Sequence, residues 1–538
     1  FHKLRPEVPI WVGGPEVSYE TESFLRCHPQ ITGVMIGEGE KTFCELAEYY
    51  AGESRRDKET EEKQRIQETQ RTGESKCTKE RSKLGEITGI AYQNGDEIIF
   101  TAPREMLDLS DIPFCYDKAG DFKNRIIYYE SSRGCPFSCS YCLSSVEKQL
   151  RFRNTELVKK ELQFFIDREV PQVKFVDRTF NCNHAHAMEI WSYIKEHDNG
   201  ITNFHFEISA DLLKEEELAL IGTMRPGLIQ LEIGVQSTNG ATIKEIHRTM
   251  QLERLKEVVR EVQKHENIHE HLDLIAGLPF EDYDTFAKSF DEIYELRPNQ
   301  LQLGFLKVLK GSYMYEHAKE YEITYHSRPP YEVLKTKWLP YDDVLKIRQV
   351  EEMLEVYYNS GQFEVTMKVL GVLFKSAFFL FQDLGKFYEK KGYFGMSHAR
   401  IRRSEILLEF VEETFSADTE KENLQEVQNL CEISDIIKES LIFDLYYREN
   451  CKSRPAWAKD LSTWKQVTRI YCKNGKQSHV ECFSYRFPDK GERVLKELPE
   501  RAEKPLYALF DYTDRDPLDH QAKVTWIMED ENAGLCSN

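Results

Sequence analysis

Between Ile126 and Leu309 short apolar runs recur along the chain, each followed by a stretch with helical spacing. The runs are RIIYYES, VKFVD, FHFEIS, LIQLEIGV, HLDLIAG and LQLGFLKV. Their separation of about 25 to 50 residues leaves room for one crossover helix each, which predicts successive βαβ units and an incomplete (β/α)6 barrel over residues 121–325. Within the runs a second pattern appears. In QLEIGVQS, Leu231, Ile233 and Val235 alternate with Gln230, Glu232, Gly234 and Gln236, so the two sets face opposite sides of a strand. Helices cover the outside of such a barrel, so the polar set is expected to line its interior. His205, Glu207 and Ser209 in FHFEIS, with His271 and Asp273 in HLDLIAG, extend that set. Unpaired buried polar groups cost roughly 1 to 3 kcal/mol each, so a polar ligand is the economical explanation.

The flanking segments follow other patterns. Residues 1–50 carry two copies of a strand that ends in a glycine turn, Ile10–Val12 before Gly13-Gly14 and GVMI before Gly37-Glu38-Gly39, the second leading into an amphipathic helix with Phe43, Leu46 and Tyr50. Two strands do not make a stable doubly wound sheet, so this segment is expected to be the closing part of a Rossmann-like domain truncated at its start. Residues 51–84 are almost wholly charged or polar and predict a solvated insertion or loop, followed by a linker over 85–120. After residue 325 helical spacing dominates. Val344, Ile347, Val350, Leu354 and Tyr357 share a face that ends at Gly361. A mainly helical domain, closed by a short-stranded segment, is expected over 326–538.

Composition narrows the functional classes. Ninety-two acidic against 72 basic residues give a net charge of -20, which supplies no general attraction for nucleic acid. The most apolar stretch, Val365 to Phe381, contains Lys368 and Lys375, so no membrane helix is predicted. The opening residues lack a basic segment followed by an apolar one, and the 13 cysteines are unevenly spread, so a reduced, cytoplasmic setting is expected.

Three of those cysteines break the scatter. Cys135, Cys139 and Cys142 stand in RGCPFSCSYC, just after the first barrel run, with spacing C-x3-C-x2-C. Three thiolates so placed suit one metal centre. A tetrahedral zinc site wants a fourth ligand, and Cys115, Cys182 and His184 complete no familiar spacing. A 4Fe-4S cluster held by three cysteines instead leaves one iron open to a small ligand.

The motif, with Tyr141 before its third cysteine, resembles the radical S-adenosylmethionine (SAM) superfamily. EIGVQS and DLIAGLPFED resemble barrel strands of the subgroup with an amino-terminal cobalamin-binding domain, and WVGGPEVSY and VMIGEGEKTF resemble the last turns of that domain. The region from Arg328 resembles a DUF4080-type domain of unknown function. The resemblance implies a 4Fe-4S cluster on Cys135, Cys139 and Cys142 and SAM contacts from Tyr141, Asp177, Glu207, Ser209 and Gln236. It further implies cobalamin at Gly13, Gly14, Gly37, Glu38 and Gly39. A small-molecule substrate and a reductant such as flavodoxin or ferredoxin are its expected partners. The implied reaction is reductive cleavage of SAM to a 5'-deoxyadenosyl radical, with methyl transfer to carbon in a cobalamin-linked enzyme, or rearrangement or cleavage where the cobalamin domain is silent. A tRNA methylthiotransferase would want further grouped cysteines and a basic tail. A non-catalytic iron-sulfur protein would not need the inward polar set.

Overall fold

The computed structural model describes residues 3–64, 84–118, 120, 122–146, 148–416, 430–472, 477–488 and 492–527. The six apolar runs become six strands, Ile126–Tyr129, Gln172–Phe175, Asn203–Ile208, Ile229–Gln236, His269–Ala276 and Gln300–Phe305, in one sheet in sequential order. Every neighbouring pair is parallel. Sequential parallel pairing is what single-helix crossovers require.

The alternation within strands sorts the two faces. Ile229, Leu231, Ile233 and Val235 are fully buried under the outer helices, whereas Gln230, Glu232, Gly234 and Gln236 face the lumen and remain partly accessible. Helices Thr155–Asp167, His184–Glu196, Leu252–Gln263 and Tyr283–Tyr294 bury Phe165, Trp191, Val259 and Phe290 against the sheet. Three of these helices begin with side-chain caps, the second by Asn183, which accepts from the His186 amide. Asn154 accepts hydrogen bonds from the Glu156 and Leu157 amides, and Asp282 from the Thr285 amide. Such a cap contributes about 1 kcal/mol and fixes where a crossover turns into helix.

The helical domain continues the same hydrophobic core. Phe378 and Phe381 stack edge-on against Phe290 of the barrel. The helix Tyr341–Leu354 passes into a π-helical turn, Glu355–Asn359, that buries Tyr357, and the chain leaves at Gly361 in the left-handed region (φ 60°). Helices Glu364–Leu373, Ala377–Lys391, Arg400–Thr414 and Leu430–Arg448 follow, then an antiparallel sheet of Ser478–Tyr485, Arg501–Asp511 and Lys523–Ile527.

The amino-terminal unit differs from expectation in two places. Its parallel pair, Trp11–Gly13 and Gly33–Met35, is extended by an antiparallel hairpin, Ile90–Asn94 and Glu97–Phe100. The stretch expected to be a linker over 85–120 therefore supplies half of this four-stranded sheet. The apolar run IAY was the missed signal, since Ile90, Ala91 and Tyr92 are buried in the unit's two small cores. Secondly, the helix beginning at Gly39 runs to Gln64, well into the segment expected to be a loop from residue 51. Glu, Lys, Arg and Gln are good helix formers, so high charge alone does not end a helix. The rest of that segment, 65–83, lies outside the described residues.

Candidate functional site

The three-cysteine loop leaves the first barrel strand at the carboxyl ends of the sheet, where βα loops gather. Its backbone is held on three sides. Gly134 has φ 93°, and a Cβ there would lie 2.5 Å from the Gln149 carbonyl, so only glycine permits the turn into Cys135. The Ser140 amide donates to the Ile246 carbonyl (2.9 Å), and the Met314 amide donates to the Ser140 carbonyl (2.9 Å). Those bonds tie the loop to segments far away in sequence.

Asp177 anchors the loop's base. Completely buried, it accepts bonds from the Ser131 amide (2.9 Å), Ser131 Oγ (2.7 Å) and Ser132 Oγ (2.5 Å). Burial pushes its carboxyl up to about 6, against the pull of these serine donors. Sequence reasoning expected Asp177 to contact SAM. The carboxylate instead points into the protein beneath the loop and is absent from the walls of the cavity the loop faces. Its duty is positional, because a buried charge must take every donor within reach and those donors belong to the loop.

Arg133 is engaged outside the barrel. It bonds Glu130 (2.7 Å), Glu38 (2.9 Å) and Glu40 (2.7 Å), the last two from the amino-terminal unit. Glu38 also accepts from Arg151 (2.6 Å) and the Leu107 amide (2.9 Å). Burial opposes its charge, but the Arg151, Leu107 and Arg133 donors hold the carboxyl down at about 2. Glu38, expected as a cobalamin contact, thus joins the two units. Its acceptor positions are already taken.

Facing the loop is a cavity of about 260 Å³. Cys135, Cys139, Tyr141 and Cys142 form one wall, and Glu207, Ser209, Glu232, Gln236 and Asp273 from the strand ends form the other. Thus the structure gathers all the expected cluster and SAM positions around one space, Asp177 excepted. It also adds residues that sequence reasoning missed: Arg178, Thr179, Arg248 and Thr249. Thr179 Oγ1 lies 3.8 Å from Cys135 Sγ. Arg248 donates to the Gly234 carbonyl, and its Nη1 stands 3.3 Å from Tyr141 Oη and 3.8 Å from Cys139 Sγ. The only sequence signal for Arg248 was its place on the segment after the fourth barrel strand.

Below the cavity the lumen holds a charged network. Glu232 lies 2.9 Å from both Lys174 and His205, and His271 lies 3.1 Å from Asp273. Despite burial, the His205 and Lys174 contacts hold the Glu232 carboxyl at about 2, whereas burial and then the Glu232 charge push Glu207 up to about 7. Two neighbouring carboxyls are thereby driven to opposite protonation behaviour.

The wall chemistry fits a metal cluster with a ligand beside it. Burial pushes the Cys135 thiol up, and the nearby Cys142 and Cys139 sulfurs add to that rise, so a cation beside it would be what holds Cys135 as a thiolate. Among the described residues no three Cys, His, Asp or Glu side chains converge on a single-ion site. A cubane sets each cysteine on a different iron and does not ask for such convergence. Buried Gln236 Oε1 and Arg248 Nε lack hydrogen-bond partners and belong to residues that line the cavity, as a polar ligand would require.

Residues 129–293 match the family model of the radical SAM superfamily. This region belongs to that superfamily. Residues 319–493 match a second model, a protein of unknown function designated DUF4080. Radical SAM proteins use a 4Fe-4S cluster and SAM, and the three-cysteine wall and polar strand ends suit those two groups. The chain is 23% identical over 387 residues to an uncharacterized methyltransferase of Pyrococcus horikoshii, covering 68% of this chain and 74% of that one. It is 25% identical over 325 residues to the cobalamin-dependent radical SAM methyltransferase TokK of Streptomyces tokunonensis, covering 54% of this chain and 41% of TokK. The chain thus spans about two fifths of TokK's length. Among solved structures, the radical SAM methyltransferase TsrM of Kitasatospora setae aligns at TM-score 0.45 and 16% identity, over 61% of this chain and 62% of that one. No helix among the described residues is long and apolar enough to cross a membrane.

Proposed function

We propose that the chain is a cobalamin-linked radical SAM enzyme that transfers a methyl group to carbon in a small-molecule substrate. The observation that carries this reading is the single cavity with three cysteines on one wall and Glu207, Ser209 and Gln236 opposite them. Cys135, Cys139 and Cys142 would hold the cluster, whose open iron, when the cofactors are bound and a flavodoxin or ferredoxin has reduced it, supplies the electron that splits SAM. Tyr141 stands beside Cys142 to cover the adenine face. Glu207, which changes protonation near neutrality, and Gln236 Oε1 meet the ligand's polar groups, and Ser209 is held in place by its bond to Asp211 (2.7 Å). Arg248, on the same cavity, braces both Tyr141 and Cys139.

The cobalamin part draws on the amino-terminal turns and on the relationship to TokK, a cobalamin-dependent methyltransferase by name. Gly14 and Gly37 take positive φ, at 99° and 78°, and Gly14, Gly37 and Gly39 have no atom within 4 Å of an added Cβ. Their backbone is therefore approachable by a large flat ligand. Gly13 packs on Met35, and Glu38 serves the barrel. A second reading, radical rearrangement or cleavage with a silent cobalamin domain, is favoured by this use of Glu38. In both readings the domains are a Rossmann-like unit over 1–50, a radical SAM barrel over 121–325 and a family-specific domain over 326–538, with residues 90–100 now assigned to the first.

Anaerobic incubation of the reconstituted protein with SAM, cobalamin and a strong reductant, with nucleosides quantified by mass spectrometry, tests the proposal. 5'-Deoxyadenosine together with S-adenosylhomocysteine is the expected outcome. Deoxyadenosine alone supports the second reading, and neither product overturns both.

A further inference from the structure

At the opposite end of the barrel a second cavity, of about 300 Å³, opens between the start of the fifth and sixth strands and the DUF4080 region. His269 on its wall and Asp273 at the catalytic cavity lie four residues apart on one strand, about 13 Å along its axis. The two spaces therefore sit at opposite ends of the sheet.

Three guanidinium groups line this lower cavity: Arg297 from the barrel, Arg448 from the long helix and Arg493 from the last segment. Among the described residues none of the three forms an ion pair with a carboxylate. Arg448 donates to the Asp519 carbonyl (2.6 Å), Arg493 donates to the Arg297 carbonyl (3.1 Å), and Arg297 stacks over the Tyr294 ring with its Nε buried and unbonded. In a chain of net charge -20, arginines without carboxylate partners are unusual company for one another. Three acids share the wall: Glu364 is occupied by Lys368 (2.9 Å) and Gln521 (2.5 Å), Asp519 accepts from the Gln521 amide (3.0 Å), and Glu266 is exposed to water. Like charges gathered in a partly desolvated space repel, and an anion between them removes that cost.

The rest of the wall describes the anion's body. Gln521 is 3% exposed and its Oε1 has no partner. The π-helical turn Glu355–Asn359 brings Tyr358 and Asn359 to the cavity, and Asn359 locks that turn by bonding the Leu301 amide (3.0 Å) and carbonyl (2.8 Å). The π-helical geometry at the end of this helix turns both side chains toward the cavity. Guanidinium forks match phosphoryl oxygens in geometry as well as charge.

We propose that this cavity binds a phosphate group, carried by a small metabolite whose body packs on Tyr358 and meets Gln521. The site is separate from the SAM cavity, and it gives the DUF4080 region a ligand shared with the base of the barrel.

Thermal unfolding of the full chain, titrated with inorganic phosphate at constant ionic strength against chloride, tests this, with glycerol 3-phosphate as the phosphomonoester arm. Wild type should show a saturable rise in Tm with half-effect at about 0.1 to 1 mM, and R448Q and R493Q should each weaken it roughly tenfold or more. Circular dichroism of the unliganded variants confirms folding, and R493K, which keeps the charge, should retain part of the response. Tighter binding of the monoester identifies a metabolite phosphate, and equal binding identifies the free ion; both support the site. No saturable shift in wild type, or an equal shift in wild type and both glutamine variants, overturns it.

Discussion

The cysteine loop is gripped from two sides by carboxylates in opposite electrostatic states. On the barrel side Asp177 is sealed from water and bonded only to neutral donors, and burial raises it to about 6. On the side of the amino-terminal unit Glu38 sits between Arg133 and Arg151 and is lowered to about 2. The inner grip relies on directional hydrogen bonds in a dry site, which set atoms to fractions of an ångström. The outer one relies on charge at a partly hydrated junction, which tolerates small movements. Geometry that must be kept is buried, and docking between units is left to ion pairs.

Four changes would break or sharpen this contrast. The largest effect is expected from Cys139→Ala, which removes one of the three cluster ligands proposed above without touching either grip. Iron and sulfide content should collapse and 5'-deoxyadenosine formation should fall by roughly 100-fold or more, while Tm changes little; a variant that retains the wild-type iron content refutes the ligand assignment. Next comes Asp177→Ala. Three donors lose their acceptor in a buried site, so chemical denaturation should show a loss of about 2 to 4 kcal/mol, with weaker cluster retention as a consequence.

Arg248→Gln should act more on the site than on the fold. It removes the charge beside Cys139 and Tyr141, so a shift in the cluster's redox potential, read by spectroelectrochemistry, should accompany a loss of about 1 kcal/mol. An unchanged potential would make Arg248 a packing residue only. Smallest is Glu38→Gln, about 0.5 kcal/mol by chemical denaturation after allowance for solvent screening.

The pH dependence separates the two grips by sign. Because the folded pKa of Glu38 lies below its ordinary 4.5, its contribution is present above that pH and fades as pH falls toward 2. Asp177 has the reverse shift, so the folded state opposes its ionisation, and stability from this group declines as pH rises from about 4 through 6. Unfolding midpoints of E38Q and D177N, measured against wild type across pH 3 to 7, should therefore both approach wild type at the acid end and part with opposite sign as pH rises, E38Q losing stability relative to wild type and D177N gaining it.

Much of the catalytic region was legible before the structure. The six strands and the inward polar set follow from alternation and spacing, which depend on local backbone geometry. The three cysteines announce themselves because metal ligation constrains neighbours in sequence. Arg248 and Arg178 were missed because each is one charged residue among many on a loop, and only the fold brings them to the cysteines. Asp177 was misjudged for a related reason. A carboxylate at a strand end can face the cavity or the protein interior, and the choice depends on which donors, here Ser131 and Ser132, are held near by.

The sequence by itself determined the order of the strands, the cluster loop and the family relationship, because periodicity and short-range motifs are written in consecutive residues. Tertiary structure alone decided that residues 90–100 complete the first sheet, that Glu38 clamps the barrel, and that three arginines from distant segments share one cavity. Those are contacts between residues up to nearly 200 positions apart, as with Arg297 and Arg493. Nothing local specifies such pairings; they follow from packing a continuous core, which selects among partners only once the elements have docked.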